Sequence, residues 1–96
     1  MTEARRYARF RLGIDVTVHS KTLGLIPGMT IEVSEAGMSA ILPVELRVGE
    51  TVELHINLPF GEVDMQAVVR ERNAFRHGFE FADHKVARQR IAPYLH

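Results

Sequence analysis

The chain has 96 residues, which is the usual size of a single domain with one hydrophobic core. Hydrophobic residues make up 46% of the sequence and charged residues 25%, so the composition is that of a folded globular protein and excludes disorder as the state of the whole chain. Twelve basic and twelve acidic side chains cancel, and this balance argues against a DNA- or RNA-binding protein, because no overall field attracts a long polyanion.

Positive charge is concentrated at the N-terminal end of the chain. Residues 1–11 contain four arginines and only one acidic residue. The arginines are Arg5, Arg6, Arg9 and Arg11. Arginine presents a planar fork of N–H donors that matches phosphate oxygens or the edge of a base. We therefore predict that residues 1–11 form a flexible segment that binds an anionic ligand.

Alternating apolar residues predict the strands that come after this segment. The first strand is predicted from Leu12 to His19, where apolar and polar residues alternate. Glycine and proline predict a loop over residues 20–28, and the apolar stretch from Met29 to Val33 predicts a second strand. The next turn ends at Gly37, which is free to adopt a positive φ, and leads into a strand that ends near Leu42. These last two strands form a predicted hairpin.

The second half of the chain continues the pattern of strands and turns. Apolar residues alternate from Val52 to Leu58 and from Val63 to Val69, and a further strand is predicted over residues 75–81. After Asp83 the apolar spacing becomes helical, which predicts a helix over about residues 83–95 with Asp83 as its cap. Roughly six short strands separated by turns favour a closed barrel, because closure removes exposed strand edges. We expect an all-β fold, a six-stranded antiparallel β-barrel with a C-terminal α-helix.

The N-terminal arginines form a short motif, Arg5-x-x-x-Arg9, with Arg6 beside it. The spacing alone means little, because Arg72-x-x-x-Arg76 repeats it later in the chain and about one such spacing is expected by chance. For this pair alone, a solvated basic tail is the better explanation. The arginine pair therefore indicates a function only in combination with a second motif.

A second motif, Glu32-x-Ser34-x-x-Gly37, occurs at the predicted strand–turn–strand junction. The ordered pair of motifs resembles the PilZ domain family, whose signature is RxxxR followed by [D/N]xSxxG. RRYAR and EVSEAG supply the two motifs, HGFEF resembles the family's last strand, and the resemblance covers essentially the whole chain. It implies a six-stranded barrel of the split-barrel type over residues 12–96 and binding of the bacterial second messenger cyclic di-GMP by the arginine-rich segment.

The resemblance also implies roles for individual residues. Arg5 and Arg9 match the motif arginines and would grip a phosphate or the O6/N7 edge of a guanine. Arg6 would meet the second phosphate or stack on a base. The remaining three positions are Glu32, Ser34 and Gly37. Glu32 stands where the family has Asp or Asn and carries its carboxylate one methylene further out, Ser34 offers a hydroxyl to the ligand, and Gly37 lets the backbone turn.

Two alternatives to a cyclic di-GMP receptor stay open. Glu32 favours a PilZ-like adaptor that contacts an effector protein without binding the nucleotide. The aromatic residues would suit a small barrel that binds single-stranded nucleic acid, although most of them alternate inward and the net charge is zero. For a receptor, the resemblance also implies that the domain signals by changing its contacts with an effector protein, and the family's usual contexts are motility and surface polysaccharide in bacteria.

Catalysis and membrane insertion are not expected. The five histidines lie on separate predicted elements without metal-ligand spacing, and neither a nucleophile elbow nor a glycine-rich phosphate loop occurs, so we predict no enzyme, no metal and no cofactor. No apolar run approaches the ~20 residues that span a bilayer, and the N-terminus resembles no secretory signal. Together with the absence of cysteine, this predicts a cytoplasmic protein.

Overall fold

A computed structural model of the chain describes residues 9–59 and 61–95. Within these ranges the chain forms seven strands, then a short helix and a 3₁₀ turn. The elements are β1 (Phe10–Arg11), β2 (Asp15–Ser20), β3 (Gly24–Val33), β4 (Gly37–Ile41), β5 (Thr51–Leu58), β6 (Gly61–Asn73), β7 (Arg76–Phe81), α1 (His84–Arg90) and the 3₁₀ turn (Ala92–Tyr94).

The strands form one antiparallel sheet that closes on itself. Their order is β1-β3-β2-β5-β6-β7-β4, and β3 also pairs with β4. Strands β2 to β7 therefore make a closed six-stranded barrel, while the two residues of β1 add an extra strand along the end of β3. The predicted barrel with a C-terminal helix is confirmed. Closure leaves no long unpaired edge in the six-stranded ring.

The barrel interior is filled by the residues that the alternating pattern predicted to point inward. Every second side chain from Val52 to Leu58 on β5 and from Val63 to Val69 on β6 is at most 4% exposed. These residues are Val52, Leu54, Ile56, Leu58, Val63, Met65, Ala67 and Val69. The polar residues between them face the outside, so the outer surface of the sheet is available for other contacts.

The predicted loop over residues 20–28 is wrong for its second half. Strand β3 already begins at Gly24 and pairs with β2 through Pro27 and Gly28. Gly28 is there because a Cβ would lie 2.8 Å from the carbonyl oxygen of Ile41 and would clash with the Leu42 side chain. Pro27 is tolerated because β4 pairs with β3 only from Met29 onward, which leaves Pro27 on an edge stretch. Both residues are typical loop formers, but here strand packing requires Gly28 and the edge position permits Pro27.

The C-terminal helix begins as predicted and ends earlier. Asp83 is the N-cap, and its carboxylate accepts hydrogen bonds from the backbone N–H groups of Lys85 and Val86 at 3.0 and 3.1 Å. Regular α-helix ends at Arg90, and the next turn is a 3₁₀ turn that contains Pro93, because proline has no N–H to continue the α-helical bonds. The buried helix-side residues Ala87, Ile91 and Leu95 belong to the same core as the barrel interior.

His77 is buried in the barrel wall with no exposed surface. Its Nε2 accepts a hydrogen bond from the backbone N–H of Leu46 at 3.0 Å, and its Nδ1 lies 2.9 Å from the carbonyl oxygen of Phe75. These partners require the neutral ring with its proton on Nδ1. Burial lowers the pKa of His77 below 6.5, against the raising effect of the Phe75 carbonyl and with a smaller lowering effect of Arg72.

We expect His77 to make the stability of the domain fall in mild acid. Below pH 6.5 the unfolded chain binds a proton at this residue that the folded chain excludes, so the free energy of unfolding falls by up to about 1.4 kcal/mol per pH unit until the lowered folded pKa is reached. Urea denaturation at pH 7.5 and pH 5.5 measures this loss. His77→Gln keeps an acceptor for Leu46 and should lose much of the pH dependence, whereas His19→Gln, at an exposed site, should retain it. Equal pH dependence in both variants would contradict the assignment.

Candidate ligand-binding pocket

An open cavity of about 390 Å³ lies against the outer face of the barrel. The turn between β3 and β4 forms one side, and the ends of β6 and β7 form the other. Arg9, Glu32, Ser34 and Gly37 all line it, so the structure brings together the motif residues that it describes. Its volume falls within the range of about 300–1,000 Å³ that is common for small-molecule sites. Arg5 and Arg6 lie outside the described residues, and their role stays a prediction.

The floor of the cavity is a row of neighbouring residues across four strands. Glu32 on β3 pairs with Ser39 on β4, Ser39 pairs with Gly78 on β7, and Gly78 pairs with Glu71 on β6. The two middle residues are small, so the centre of the floor is nearly bare backbone. The Oγ atom of Ser39 is buried and has no hydrogen-bond partner within residues 9–59 and 61–95. Such an atom is rare enough in folded proteins to suggest an absent partner.

Two β-bulges shape the walls of the cavity. The register between β3 and β4 shifts at Ile31, and the register between β6 and β7 shifts at Arg70. A bulge leaves one residue unpaired, bends its strand and changes the direction of nearby side chains. Here the two bulges lie directly before Glu32 and Glu71, the two ends of the floor. The bulges therefore set which side chains face the cavity.

Ser34 and Gly37 build the turn at the rim of the cavity. The Ser34 hydroxyl accepts hydrogen bonds from the backbone N–H groups of Ala36 and Gly37 at 3.1 and 3.2 Å, and it donates more weakly to the carbonyl of Gly37 at 3.3 Å. The backbone N–H of Ser34 also donates to the Gly37 carbonyl at 2.8 Å. Ser34 is thus first of all a turn residue. One weakly held hydroxyl proton remains available to a ligand.

The predicted reason for Gly37 is wrong. Gly37 is not among the glycines with a positive φ, which in the described residues are Gly24, Gly49 and Gly61. Its backbone instead approaches β7 so closely that a Cβ would overlap the carbonyl oxygen of Phe79 and lie 3.2 Å from the Cα of Glu80. Glycine is needed here for the contact between two strands.

Four arginines line the cavity, and three of them lie outside the two predicted motifs. Arg9 lies 3.7 Å from Glu32 on the side formed by the β3–β4 turn, which we call the first wall; β6 and β7 form the second wall. On the opposite wall Arg70 pairs with Glu80 at 2.5 Å and Arg72 pairs with Glu45 at 3.2 Å. Arg76 lines the cavity too and has no ion-pair partner within 4.0 Å among the residues described. The lining therefore combines arginine forks with carboxylates from both sides.

Sequence reasoning misses the arginines of the second wall. The spacing Arg72-x-x-x-Arg76 is no more than chance predicts, yet the β6–β7 hairpin carries both residues to the cavity. A usable signal is present, because three arginines fall within seven positions just before HGFEF. What the sequence lacks is any local indication that this hairpin lies beside the β3–β4 turn, which depends on the pairing of β4 with β7.

A second cavity of about 470 Å³ lies on another part of the outer surface. It is lined by Asp15, Thr17, Leu25, His55, Asn57 and Glu62, without an arginine. His55 is held by Asp64 at 2.6 Å. The two carboxylates of this cavity are not balanced by any arginine of its lining, whereas the first cavity has four arginines, so the first cavity is the better site for an anionic ligand. Within residues 9–59 and 61–95 no group of three or more histidine, aspartate or glutamate residues could hold a metal ion.

Comparison with known proteins identifies the family of the chain. The sequence profile of the PilZ domain matches residues 3–95. The chain belongs to the PilZ domain family. The matched range contains both predicted motifs, with Glu32 as a departure from the family's Asp or Asn. No curated protein sequence matches the chain. In the described part of this PilZ domain no helix is long and apolar enough to cross a membrane.

Solved PilZ structures share the fold of the chain at low sequence identity. The PilZ domain of YcgR from Escherichia coli, solved with c-di-GMP, matches with a TM-score of 0.77 and 20% identity over 91% of this chain and 86% of that one. The PilZ domain of CeSA from a cellulose-synthesizing bacterium matches with a TM-score of 0.75 and 18% identity over 93% and 99%. The Bacillus subtilis inhibitor of motility, MotI/DgrA, matches with a TM-score of 0.70 and 22% identity over 82% of this chain but only 43% of its own.

Proposed function

We propose that this PilZ domain is a receptor for cyclic di-GMP, which it binds in the cavity between the β3–β4 turn and the β6–β7 hairpin. The observation that carries the proposal is that Arg9, Glu32, Ser34 and Gly37 line one open cavity of suitable size. The structure of the YcgR domain with c-di-GMP, which has the same fold, supports it.

The cavity suits a ligand that carries both phosphates and bases. Arginine forks donate paired hydrogen bonds to phosphate oxygens or to the O6 and N7 atoms of guanine. Arg9 approaches the ligand from the first wall, and Arg76 approaches it from the second without an internal ion pair in the described structure to break. We propose that Arg5 and Arg6, from the N-terminal segment of residues 1–11, complete the site with further contacts to phosphate or base.

The second motif contributes a base contact and a rim. Glu32 is 28% exposed and lies beside Arg9 at one end of the floor, so its carboxylate can accept hydrogen bonds from guanine N–H groups or orient Arg9. Ser34 can turn its weakly held proton toward a phosphate oxygen. Gly37 has no side chain, so it leaves the rim of the cavity open to the ligand. Ligand binding would replace the 3.7 Å contact between Arg9 and Glu32 with contacts to the nucleotide.

The signalling step depends on the position of this contact. Arg9 directly precedes β1, which pairs with the end of β3 at Val33 and Glu32. A ligand that draws Arg9 toward the floor therefore acts on the start of β1, and a partner protein that contacts β1 and the end of β3 would sense the change. The domain then acts as an effector module without catalysis.

Isothermal titration calorimetry of the purified chain with cyclic di-GMP tests the proposal. We expect saturable heat and a dissociation constant in the micromolar range or below. Cyclic di-AMP is the matched control, since it keeps both phosphates and changes only the bases. No heat with cyclic di-GMP at concentrations up to ~100 µM, which corresponds to binding weaker than about −5.5 kcal/mol, would contradict the receptor function.

One observation favours a second candidate, a PilZ adaptor that contacts an effector protein without the nucleotide. Three of the four arginines in the cavity already have a carboxylate within 4.0 Å, and Glu32 reaches Arg9 with a longer side chain than the family's Asp or Asn. These internal pairs compete with a ligand for the same arginines. The adaptor predicts a partner interaction that is equally strong with and without cyclic di-GMP, and an absence of heat in the titration.

A further inference from the structure

The side chain of Glu71 extends from one end of the cavity floor over the neighbouring Gly78. A Cβ at Gly78 would lie 2.8 Å from its Cγ and 3.2 Å from its Oε1, so the carboxylate lies directly over the bare backbone of β7. The bulge at Arg70 places Glu71 opposite Gly78 on the outer face of the sheet. A ligand that lies flat on the floor will therefore meet this carboxylate.

Glu71 is not neutralised by the arginines beside it. Arg70 is bound to Glu80 at 2.5 Å, and Arg72 is bound to Glu45 at 3.2 Å. Among the residues described, Glu71 has neither an ion pair within 4.0 Å nor a side-chain hydrogen bond. If its role were to balance these arginines, it would pair with one of them. Its oxygens are instead open to the cavity.

An open carboxylate in such a cavity selects for N–H donors. The Watson–Crick edge of guanine carries two neighbouring donors, N1–H and N2–H, which match the two oxygens of one carboxylate. Adenine has an acceptor at N1 and therefore cannot make this pair. A phosphate would be repelled. In one site, arginines can therefore bind the phosphates and the O6/N7 edge of guanine, while a carboxylate binds the Watson–Crick edge.

A carboxylate and an arginine lie together at each end of the floor. Glu32 with Arg9 lies at one end, and Glu71 with Arg72 lies at the other, separated by three strand spacings, at most about 14 Å. The orphaned Oγ of Ser39 lies between them. A cyclic dinucleotide likewise has two bases joined by a ring with two phosphates. The two ends of the floor therefore offer one carboxylate for each base.

We infer that Glu71 is a specificity-determining residue that accepts hydrogen bonds from guanine and makes the cavity prefer guanine over adenine. This inference rests on the proposed function, since it assigns a residue within the same cavity. Loss of a charge-assisted hydrogen bond to the base lowers the preference for guanine roughly ten- to hundredfold.

The test is an ¹H–¹⁵N NMR titration of the full chain with four probes, cyclic di-GMP, cyclic di-AMP, GMP and AMP. Glu71→Gln removes the charge and one acceptor while keeping the size of the side chain. Glu62→Gln is the matched control, because Glu62 is exposed on the same strand outside the cavity. We expect wild type and Glu62→Gln to bind cyclic di-GMP more tightly than cyclic di-AMP, with chemical-shift changes at the Ser39 and Gly78 amides. In Glu71→Gln the ratio of the two affinities should fall at least tenfold.

Other outcomes overturn the inference or separate it from the proposed function. If Glu71→Gln raises the affinity for all four nucleotides equally, Glu71 only repels anions. An unchanged preference for guanine, or an equal loss of affinity for all four nucleotides, would likewise refute base recognition. If wild type binds neither dinucleotide, the receptor function fails. A preference for GMP over AMP that Glu71→Gln removes would then still support the guanine contact, and no shift at Ser39 or Gly78 with either mononucleotide would refute it.

Discussion

Replacing Arg9 with alanine is expected to weaken the binding of cyclic di-GMP at least tenfold without loss of stability. Arg9 is the motif arginine that the structure places in the cavity, and it faces the floor beside Glu32. A charge-assisted hydrogen bond to a phosphate or base edge contributes about 1.5–3 kcal/mol, which corresponds to roughly ten- to a hundredfold in affinity. Calorimetric titration of the variant measures the loss.

The fold should not depend on Arg9. Its side chain is 54% exposed, and an exposed ion pair of this kind contributes about 0–1 kcal/mol to stability. Arg9→Ala should therefore melt within a few degrees of wild type. Arg47→Ala is the matched control, because Arg47 is an exposed arginine of the loop between β4 and β5 and lies outside the cavity.

A third variant separates charge from geometry. Arg9→Lys keeps the positive charge and loses the planar fork, so it should recover only part of the affinity if Arg9 binds with two parallel hydrogen bonds. Full recovery would indicate that Arg9 acts through charge alone. Equal affinities of Arg9→Ala, Arg47→Ala and wild type would place the ligand elsewhere.

The barrel strands could be predicted because apolar and polar residues alternate along each of them, and this pattern is visible in the local sequence. Val52 to Leu58 and Val63 to Val69 show a period of two, and both stretches are strands with the predicted side buried. Asp83 marked the start of the helix because capping is also a local property. The beginning of β3 escaped prediction because Gly28 and Pro27 are permitted there by neighbouring strands, and local sequence does not reveal those neighbours.

In the candidate site too, the residues that are close in sequence could be predicted, and those brought in by long-range strand pairing could not. Glu32, Ser34 and Gly37 lie within six residues on one hairpin, so their common location could be predicted from the sequence. Glu71 and Arg76 reach the same cavity only because β4 pairs with β7 and a bulge shifts the register of β6. Both are long-range features of the sheet. Sequence reasoning therefore found one wall of the cavity and missed the other.

The largest expected effect on stability comes from Gly37. Gly37→Ala should lower the free energy of unfolding by about 3 kcal/mol, because the added Cβ overlaps the backbone carbonyl of Phe79 and the strands β4 and β7 must separate to admit it. For a domain of this size the melting temperature should fall by roughly 10–20 °C. Gly13→Ala is the matched control, since its nearest neighbour would be the Met29 sulfur at 4.0 Å.

Asparagine at position 37 distinguishes the two reasons for glycine. Asparagine tolerates a positive φ better than alanine does, so it would be the milder substitution if the turn demanded that conformation. Close approach of the strands predicts the opposite, because asparagine carries the same Cβ and more atoms beyond it. Thermal unfolding should therefore rank Gly37→Asn no more stable than Gly37→Ala, with Gly13→Ala near wild type. A clear advantage of asparagine over alanine would show that the backbone conformation, and not the contact with Phe79, makes glycine necessary at the rim of the cavity.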